Sequence, residues 1–300
     1  YFGKGGEYGV GISAPAQKLA WIMQLARQKE PRAIQFWSDL SNGYNEVYKG
    51  AVETGLSRMP PKLQWFRQAF AAFYGSETIL FFNRRDKDIG EKEVEELKAQ
   101  GGVLQGDSAS GVYFNAALQP ALETIRDEYP EATLLKYADD LNGTVLKKDV
   151  GVEEERATAK EGAYRKLDGT EPETIPIAVA ILRHWEWMME KKGLRASHKK
   201  RGVCSEEERL NPNEYEGIPI TQGLKIGGVP IGTKEYVRQT LQEMIVNAET
   251  TNDATRVMSR TQYRSLLTVN CLGTKTVQHI WQTIGTEEGE EPMRRTDEFT

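Results

Sequence analysis

Only two cysteines, Cys204 and Cys271, occur in 300 residues, too few for a disulfide framework, and no Cys/His spacing matches a structural zinc site. Cys204 is expected to be a small buried residue. Histidine is equally scarce. His184, His198 and His279 cannot be assembled by order and spacing into a metal triad or a Ser/His/Asp arrangement, and His184, within "RHWEWMM", reads as helix packing. Long apolar runs are missing too: the longest, "IAVAIL" (Ile177–Leu182), is far short of the roughly 20 residues of a membrane helix. The N-terminal "YFGKGGEYGV" has neither an initiator Met nor a signal-peptide pattern. The chain is therefore read as a piece of a longer protein in a reducing, intracellular compartment. A basic excess is absent as well: the net charge of −5 counts against a dedicated nucleic-acid-binding module.

What is present fits a soluble globular protein, with 28% charged and 39% hydrophobic residues, long enough for one large or two modest domains. Charge is unevenly spread. "EKKGLRASHKKR" (Glu190–Arg201) sets Lys191, Lys192, Arg195, Lys199, Lys200 and Arg201 against one Glu, which in isolation reads as a solvated helix end. Acid collects in "VEEE" (Val152–Glu155) and "TEEGEE" (Thr286–Glu291).

Periodicity predicts a helix over Ala14–Gln28, a buried strand in "RAIQFWSDL" ending at Asp39, and a helix capped by Ser41 or Asn42 that runs to Leu56. Pro60-Pro61 precedes a helix through Phe73. A hairpin or flap around a polar insertion closes at Gly101-Gly102. Ser108–Tyr129 reads as a serine-capped helix bent at Pro120. "ATLLKYADDLNGTVLKK" reads as strand, turn and strand, with Asn142-Gly143 as the hairpin signal. A polar excursion over 149–173 reads as an exposed loop, Ile175–Gly193 as an apolar helix, and "LKIGGVPIGT" as a short strand with a turn before helical sequence. Strands and helices interleave without a regular beat, which predicts an α+β fold, a sheet with helices on one side.

Two adjacent aspartates, Asp139 and Asp140, repel each other, yet only at a turn can consecutive side chains approach one point. A third carboxylate, Asp39, closes an earlier strand. Such a trio calls for a divalent cation: Mg²⁺ prefers oxygen ligands, and two ions about 4 Å apart clamp both oxygens of a phosphoryl transfer. Ordinary turn chemistry at Asp139-Asp140 and helix capping by Asp39 explain each feature separately. Between the acidic sites, "GGVLQGDSASGVYFNAALQPAL" feeds a Gly-containing turn into a helix N-terminus, where free N–H groups favour anions. An ordinary capped helix start explains it equally.

The order of these segments is more specific than any one of them. "SDLSNGYNEV", "GVLQGDSASGVYFNAALQPAL", "KYADDLNG", "GLRASHKK" and "LKIGGVPIGT" resemble motifs A to E of reverse transcriptases (RNA-directed DNA polymerases), in that order. The chain looks most like the enzymes of non-LTR retrotransposons. "EYGVGISAPAQKLAWIM" and "QYRSLLTVNCLGTKTVQHIWQTIG" resemble flanking segments of such elements. The resemblance implies a right-hand polymerase palm, an antiparallel sheet backed by helices, over residues 32–235, with a fingers-like insertion at about 75–103. Partial fingers would occupy 1–31 and the start of a helical thumb 236–300.

It further implies that Asp39 and Asp139 bridge two Mg²⁺ ions (Mn²⁺ as an alternative), with Asp140 alongside and the Leu40 carbonyl completing the nucleotide-side ion. Tyr44 matches the aromatic gate against a ribose 2′-OH, and Gln105 and Gly106 match residues beneath the incoming nucleotide and template base. Lys200 matches the lysine that protonates pyrophosphate. Gly227, Gly228 and Val229 match the primer grip. The implied partners are an RNA template, a DNA primer and dNTPs, with no membrane, in the nucleus for a eukaryotic element. Gly43 and Tyr44 stand where Ala and Phe are frequent, and "DSAS" replaces the commoner Pro-Leu, so that the helix start relies on serine caps. Another palm polymerase that makes RNA, or a degenerate palm kept as a binding module, are the alternatives; Tyr137-Ala138 and Tyr44 disfavour the first.

Overall fold

A computed structural model describes residues 15–76, 78–85, 92–99, 101–145, 156–157, 175–206, 210–213, 215 and 217–258. The flanking segment 262–285, most of the polar excursion, Cys271 and His279 lie outside the described residues. In chain order, helix α1 (Pro15–Lys29) leads into β1 (Ile34–Ser38), β2 (Leu40–Ser41), α2 (Gly43–Glu46), α3 (Lys49–Ser57) and α4 (Trp65–Tyr74). The hairpin β3 (Thr78–Arg85) and β4 (Lys92–Ala99) is followed by α5 (Ser110–Glu128), β5 (Ala132–Tyr137) and β6 (Asp140–Val145). Short strands β7 (Arg156–Ala157) and β8 (Ile175–Pro176) precede α6 (Ile177–Glu190), β9 (Arg195–Ala196) and β10 (Gly202–Cys204). A last hairpin, β11 (Gly223–Ile226) and β12 (Val229–Gly232), runs into α7 (Lys234–Met258). No described helix is long and apolar enough to cross a membrane.

The fold is α+β, built on an antiparallel sheet with strand order β10-β1-β6-β5. Alternation along the strands sends successive side chains to opposite faces. Phe36, Leu134, Leu141 and Val203 point into the main core, where α3, α5 and α6 back the sheet with Leu56, Phe114, Leu118, Leu122, Ile181 and Trp185. Gln35 and Leu135 face the other way. There α1 and the β11–β12 hairpin form a second cluster, in which Leu19, Met23, Val229 and Ile231 are buried, and Gln35 donates to the Met23 carbonyl at 3.1 Å. Helices thus back one face as expected, and a smaller layer covers part of the other. His184 is 3% exposed and packs edge-on against Tyr129. Cys204 is a buried free thiol.

Three local expectations are corrected. The hairpin turn is not at Asn142-Gly143: Tyr137 pairs with Asp140, so the two-residue loop is Ala138-Asp139, and Asn142-Gly143 lies inside β6. A Cβ at Gly143 would stand 2.2 Å from the Phe36 ring. That glycine makes room for a core aromatic on the neighbouring strand. The helix expected from Ser41 to Leu56 is broken at Val47 and Tyr48, whose ψ of 130° leaves the helical region, and neither segment has a side-chain cap. The serine cap expected for α5 is absent: its N-cap residue is Ala109 and no side chain caps it. Asp107 closes the turn before the helix instead, its Oδ1 accepting the Ala109 N–H at 3.0 Å while the Ser110 hydroxyl donates to the Asp107 carbonyl at 2.7 Å.

Close approach of α3 to α5 sets the depth of the main core. A Cβ at Gly55 would lie 1.9 Å from the Ala116 carbonyl oxygen, an atom of the backbone that cannot swing aside. Alanine gains about 1 kcal/mol of helix propensity over glycine, but here the clash outweighs it, because α3 must lift off a close-packed core. Gly55→Ala is expected to destabilise the fold by about 2 kcal/mol or more in urea titration; a stabilised variant would contradict this packing.

Candidate active site

Strand register brings the three carboxylates together. β1 and β6 pair with Ser38 opposite Leu141, so Asp39, the residue after β1, comes level with Asp140, the first residue of β6. The hairpin loop places Asp139 beside them. One carboxylate oxygen from each of Asp39, Asp139 and Asp140 lies within 4.8 Å of the other two. Among the described residues this is the group able to hold a metal ion. An all-oxygen, triply acidic donor set suits a hard divalent cation such as Mg²⁺ or Mn²⁺, and without soft ligands it does not favour copper or structural zinc.

Proximity and burial act on the titration of these groups in the same direction. Asp139 is held above the ordinary carboxylate range, first by desolvation and then by the Asp39 charge. Asp140 is pushed up to about 7, first by desolvation and next by the charges of Asp139 and Asp39, with Lys200 opposing. Lys200 belongs to the segment after β9, which pairs with β2 through Leu40 and Ala196, and the Ser197 N–H donates to the Asp39 carbonyl at 2.8 Å. Its Nζ sits 2.6 Å from Asp39 Oδ2 although its side chain is 71% exposed, and the bond to Asp39 raises its pKa.

The remaining expected residues fall around this centre. Leu40 directly follows Asp39 and buries its side chain in the main core. Tyr44 is half-buried and stacks on Phe114 of α5, with ring centroids 4.4 Å apart; a Cβ on the adjacent Gly43 would lie 3.7 Å from Asp139 Cβ and 2.8 Å from the Phe114 ring. Glycine rather than alanine therefore stands at 43 because Phe114 occupies the space. Gln105 and Gly106 are exposed in the turn before α5, and Gly106 has φ +99°. That turn is anchored from α4: the Tyr74 hydroxyl donates to Asp107 Oδ2 at 2.7 Å and accepts the Leu104 N–H at 3.2 Å. Burial pushes the Tyr74 phenol up to about 12, with the Asp107 bond adding to it.

Gly227 and Gly228 form the exposed β11–β12 turn, with φ of +55° and +88°, and Val229 is buried beneath it. A pocket of about 320 Å³ joins the two regions, lined by Asp39, Asp140 and Lys200 on one side and by Leu224, Lys225 and Ile226 on the other. Residues that the sequence reading missed are Tyr74, Asp107, Phe114, Asn115 and Lys136. A visible signal existed only for Lys136, a lone cation in the apolar strand "ATLLKYA".

The raised Asp140 pKa has a definite sign in stability. Its folded value, about 7, exceeds its unfolded one, so the folded state binds the extra proton between the two and stability falls as pH rises through that window. In EDTA, melting temperature is expected to drop from about pH 5 to about pH 8, and Asp140→Asn to flatten the slope. An unchanged slope in the variant would contradict the assignment.

No protein-family model matches the chain, and no curated protein matches it. Among solved structures it is similar to apo telomerase from Candida tropicalis truncated from its C-terminal domain, at 11% identity and a TM-score of 0.45, over 75% of this chain and 39% of that one. It is similar to telomerase from Candida albicans in complex with a TWJ fragment of telomeric RNA at 8% identity and a TM-score of 0.41, over 97% of this chain and 51% of that one. Apo telomerase from Candida tropicalis matches at 11% identity and a TM-score of 0.45, over 99% of this chain and 50% of that one. The chain thus spans 39% to 51% of the length of these structures.

Proposed function

We propose that this chain is the palm-centred part of an RNA-directed DNA polymerase from a retrotransposon of the non-LTR type, adding dNTPs to a primer 3′-hydroxyl on an RNA template. The observation that carries this reading is the meeting of Asp39 with Asp139 and Asp140, which lie one hundred residues further along the chain, at one end of an antiparallel sheet. Asp39, Asp139 and Asp140 would hold Mg²⁺ or Mn²⁺. When bound, paired ions supply Lewis-acid activation of the attacking hydroxyl and charge neutralisation on the leaving pyrophosphate.

The chain's own residues supply position, selection and a proton. Tyr44, braced by Phe114 and following Gly43, whose added Cβ would lie 3.7 Å from Asp139 Cβ, would set its ring against a ribose 2′-hydroxyl. Exposed backbone at Gln105 and Gly106 is free to approach the nucleotide and template base, and glycine lets it come close. Lys200 lines the pocket with its ammonium paired to Asp39 and would donate a proton to the departing pyrophosphate. The β11–β12 turn, Gly227 to Val229, borders the same pocket through β11 and would seat the primer end. Catalysis of this kind is chiefly orientation and charge stabilisation.

Asp139→Asn is expected to abolish primer extension on RNA while leaving the melting temperature at or above the parent's, since one of three repelling charges is gone. Extension comparable to the parent's would refute the reading. Lys200→Ala should lose about 10²–10⁴ in rate, the range of a general acid, and so retain more activity than Asp139→Asn. Tyr44→Ala should admit rNTPs that the parent rejects, measured as the ratio of kcat/KM for dATP and ATP; an unaltered ratio removes Tyr44 from selection.

A further inference from the structure

Beneath the acidic tip lies a cation that a hydrophobic side chain of similar size would replace without desolvation cost. Lys136 of β5 is 0% exposed. Its side chain crosses to α5, where the ammonium donates to Asn115 Oδ1, and it also donates to the Ala138 carbonyl at 2.9 Å. Asn115 is itself 0% exposed and donates its amide to the Gly111 carbonyl at 2.8 Å, which fixes the direction of its oxygen. Burying an ammonium is unfavourable unless its bonds are well formed, so the arrangement needs a reason.

Ala138 provides one. Among the described residues only Asn42 and Ala138 combine a side chain with positive φ, and Ala138 has φ +52°. Asparagine tolerates that region; alanine does not, and a non-glycine residue stays there only where its surroundings hold it. The bond from Lys136 to the Ala138 carbonyl is such a hold, and the next residue is Asp139.

We propose that Lys136 is a positioning residue: by tying the Ala138 carbonyl to Asn115 of α5, it maintains the left-handed turn that aims the Asp139 carboxylate at Asp39 and Asp140. The inference rests on the polymerase reading for its purpose, but a metal-binding measurement judges it separately. A buried lysine that served only as counter-charge would repel a divalent cation, and its removal would tighten cation binding. A lysine that positions Asp139 has the opposite signature.

The test compares the 300-residue chain with Lys136→Met, Lys136→Arg and the double variant Lys136→Met/Ala138→Gly. Mn²⁺ affinity is read by electron paramagnetic resonance of the free ion without nucleic acid, and primer extension is measured in parallel. Lys136→Met should weaken Mn²⁺ binding about tenfold and lower kcat about 10–100-fold, as loss of an orienting partner does, with dNTP KM changed less than about twofold. Lys136→Arg, which keeps a donor, should stay closer to the parent. Ala138→Gly should recover about threefold of the lost Mn²⁺ affinity, because glycine takes positive φ without strain.

Unchanged or tighter Mn²⁺ binding in Lys136→Met would overturn the inference, and so would the absence of any recovery with glycine. Should Lys136→Met fail to fold, Lys136→Leu, which likewise lacks a donor, carries the same readouts. A parent chain that binds Mn²⁺ yet extends no primer would defeat the polymerase reading, while the Mn²⁺ comparison would still decide the role of Lys136.

Discussion

Three carboxylates held within 4.8 Å of one another repel, and the surrounding structure has to oppose that repulsion. Coulomb energy between like charges at such separations is on the order of a few kcal/mol at the effective dielectric of a protein surface, comparable to a large part of a domain's net stability. Three means of opposing it are visible. Protonation is made easier at Asp140, whose pKa reaches about 7. Lys200 reaches in from solvent to Asp39, and Lys136 lies beneath the sheet, where its charge favours ionised Asp139. The site is therefore unstable by construction and is held by its scaffold.

That scaffold is rigid where the acidic cluster requires it. Register between β1 and β6 is fixed by a buried face on each side, since a one-residue slip would send Phe36 and Leu141 out of the main core and Gln35 into it. Helix α5 lies unusually near its neighbours because glycines face it: Gly55 admits the Ala116 carbonyl and Gly43 admits the Phe114 ring. Through those contacts one helix supports both Tyr44 and, by Asn115, the lysine under the hairpin. The opposite face has its own tie. Arg27 of α1 meets Glu206 at 2.5 Å and donates to the Gly232 carbonyl, and Glu206 accepts the Lys234 N–H at 3.2 Å. The β11–β12 hairpin and the start of α7 are thereby fixed relative to the sheet.

The acidic trio could be read from sequence because charge is conspicuous: Asp39 ends an apolar run, and Asp139-Asp140 interrupt two others. Its assembly depended on non-local pairing, but the ordered motifs were sufficient to anticipate it. Local chemistry misled where one residue type serves two purposes. Asn-Gly is a turn signal, yet Gly143 is there because the Phe36 ring fills the space a side chain would need. Serines before a helix signal caps, yet α5 has no side-chain cap, and its entry is set by a turn at Asp107 that Tyr74 of α4 anchors. Contacts such as Tyr44 on Phe114 join segments about seventy residues apart and leave no periodic trace.

The two lysines near the carboxylates differ in a way that decides what each can do. Lys200 is 71% exposed, and an exposed ion pair contributes about 0–1 kcal/mol, so an arriving group can displace its ammonium from Asp39 at little cost. Lys136 is wholly enclosed and bound to two fixed acceptors; displacing it would leave an unpaired buried charge, which is far more unfavourable. One lysine is exchangeable and the other is structural. Since Lys200 approaches from solvent and Lys136 from the core, the displaceable contact is on the open side of the cluster, and the side that fixes Asp139 is closed to any ligand.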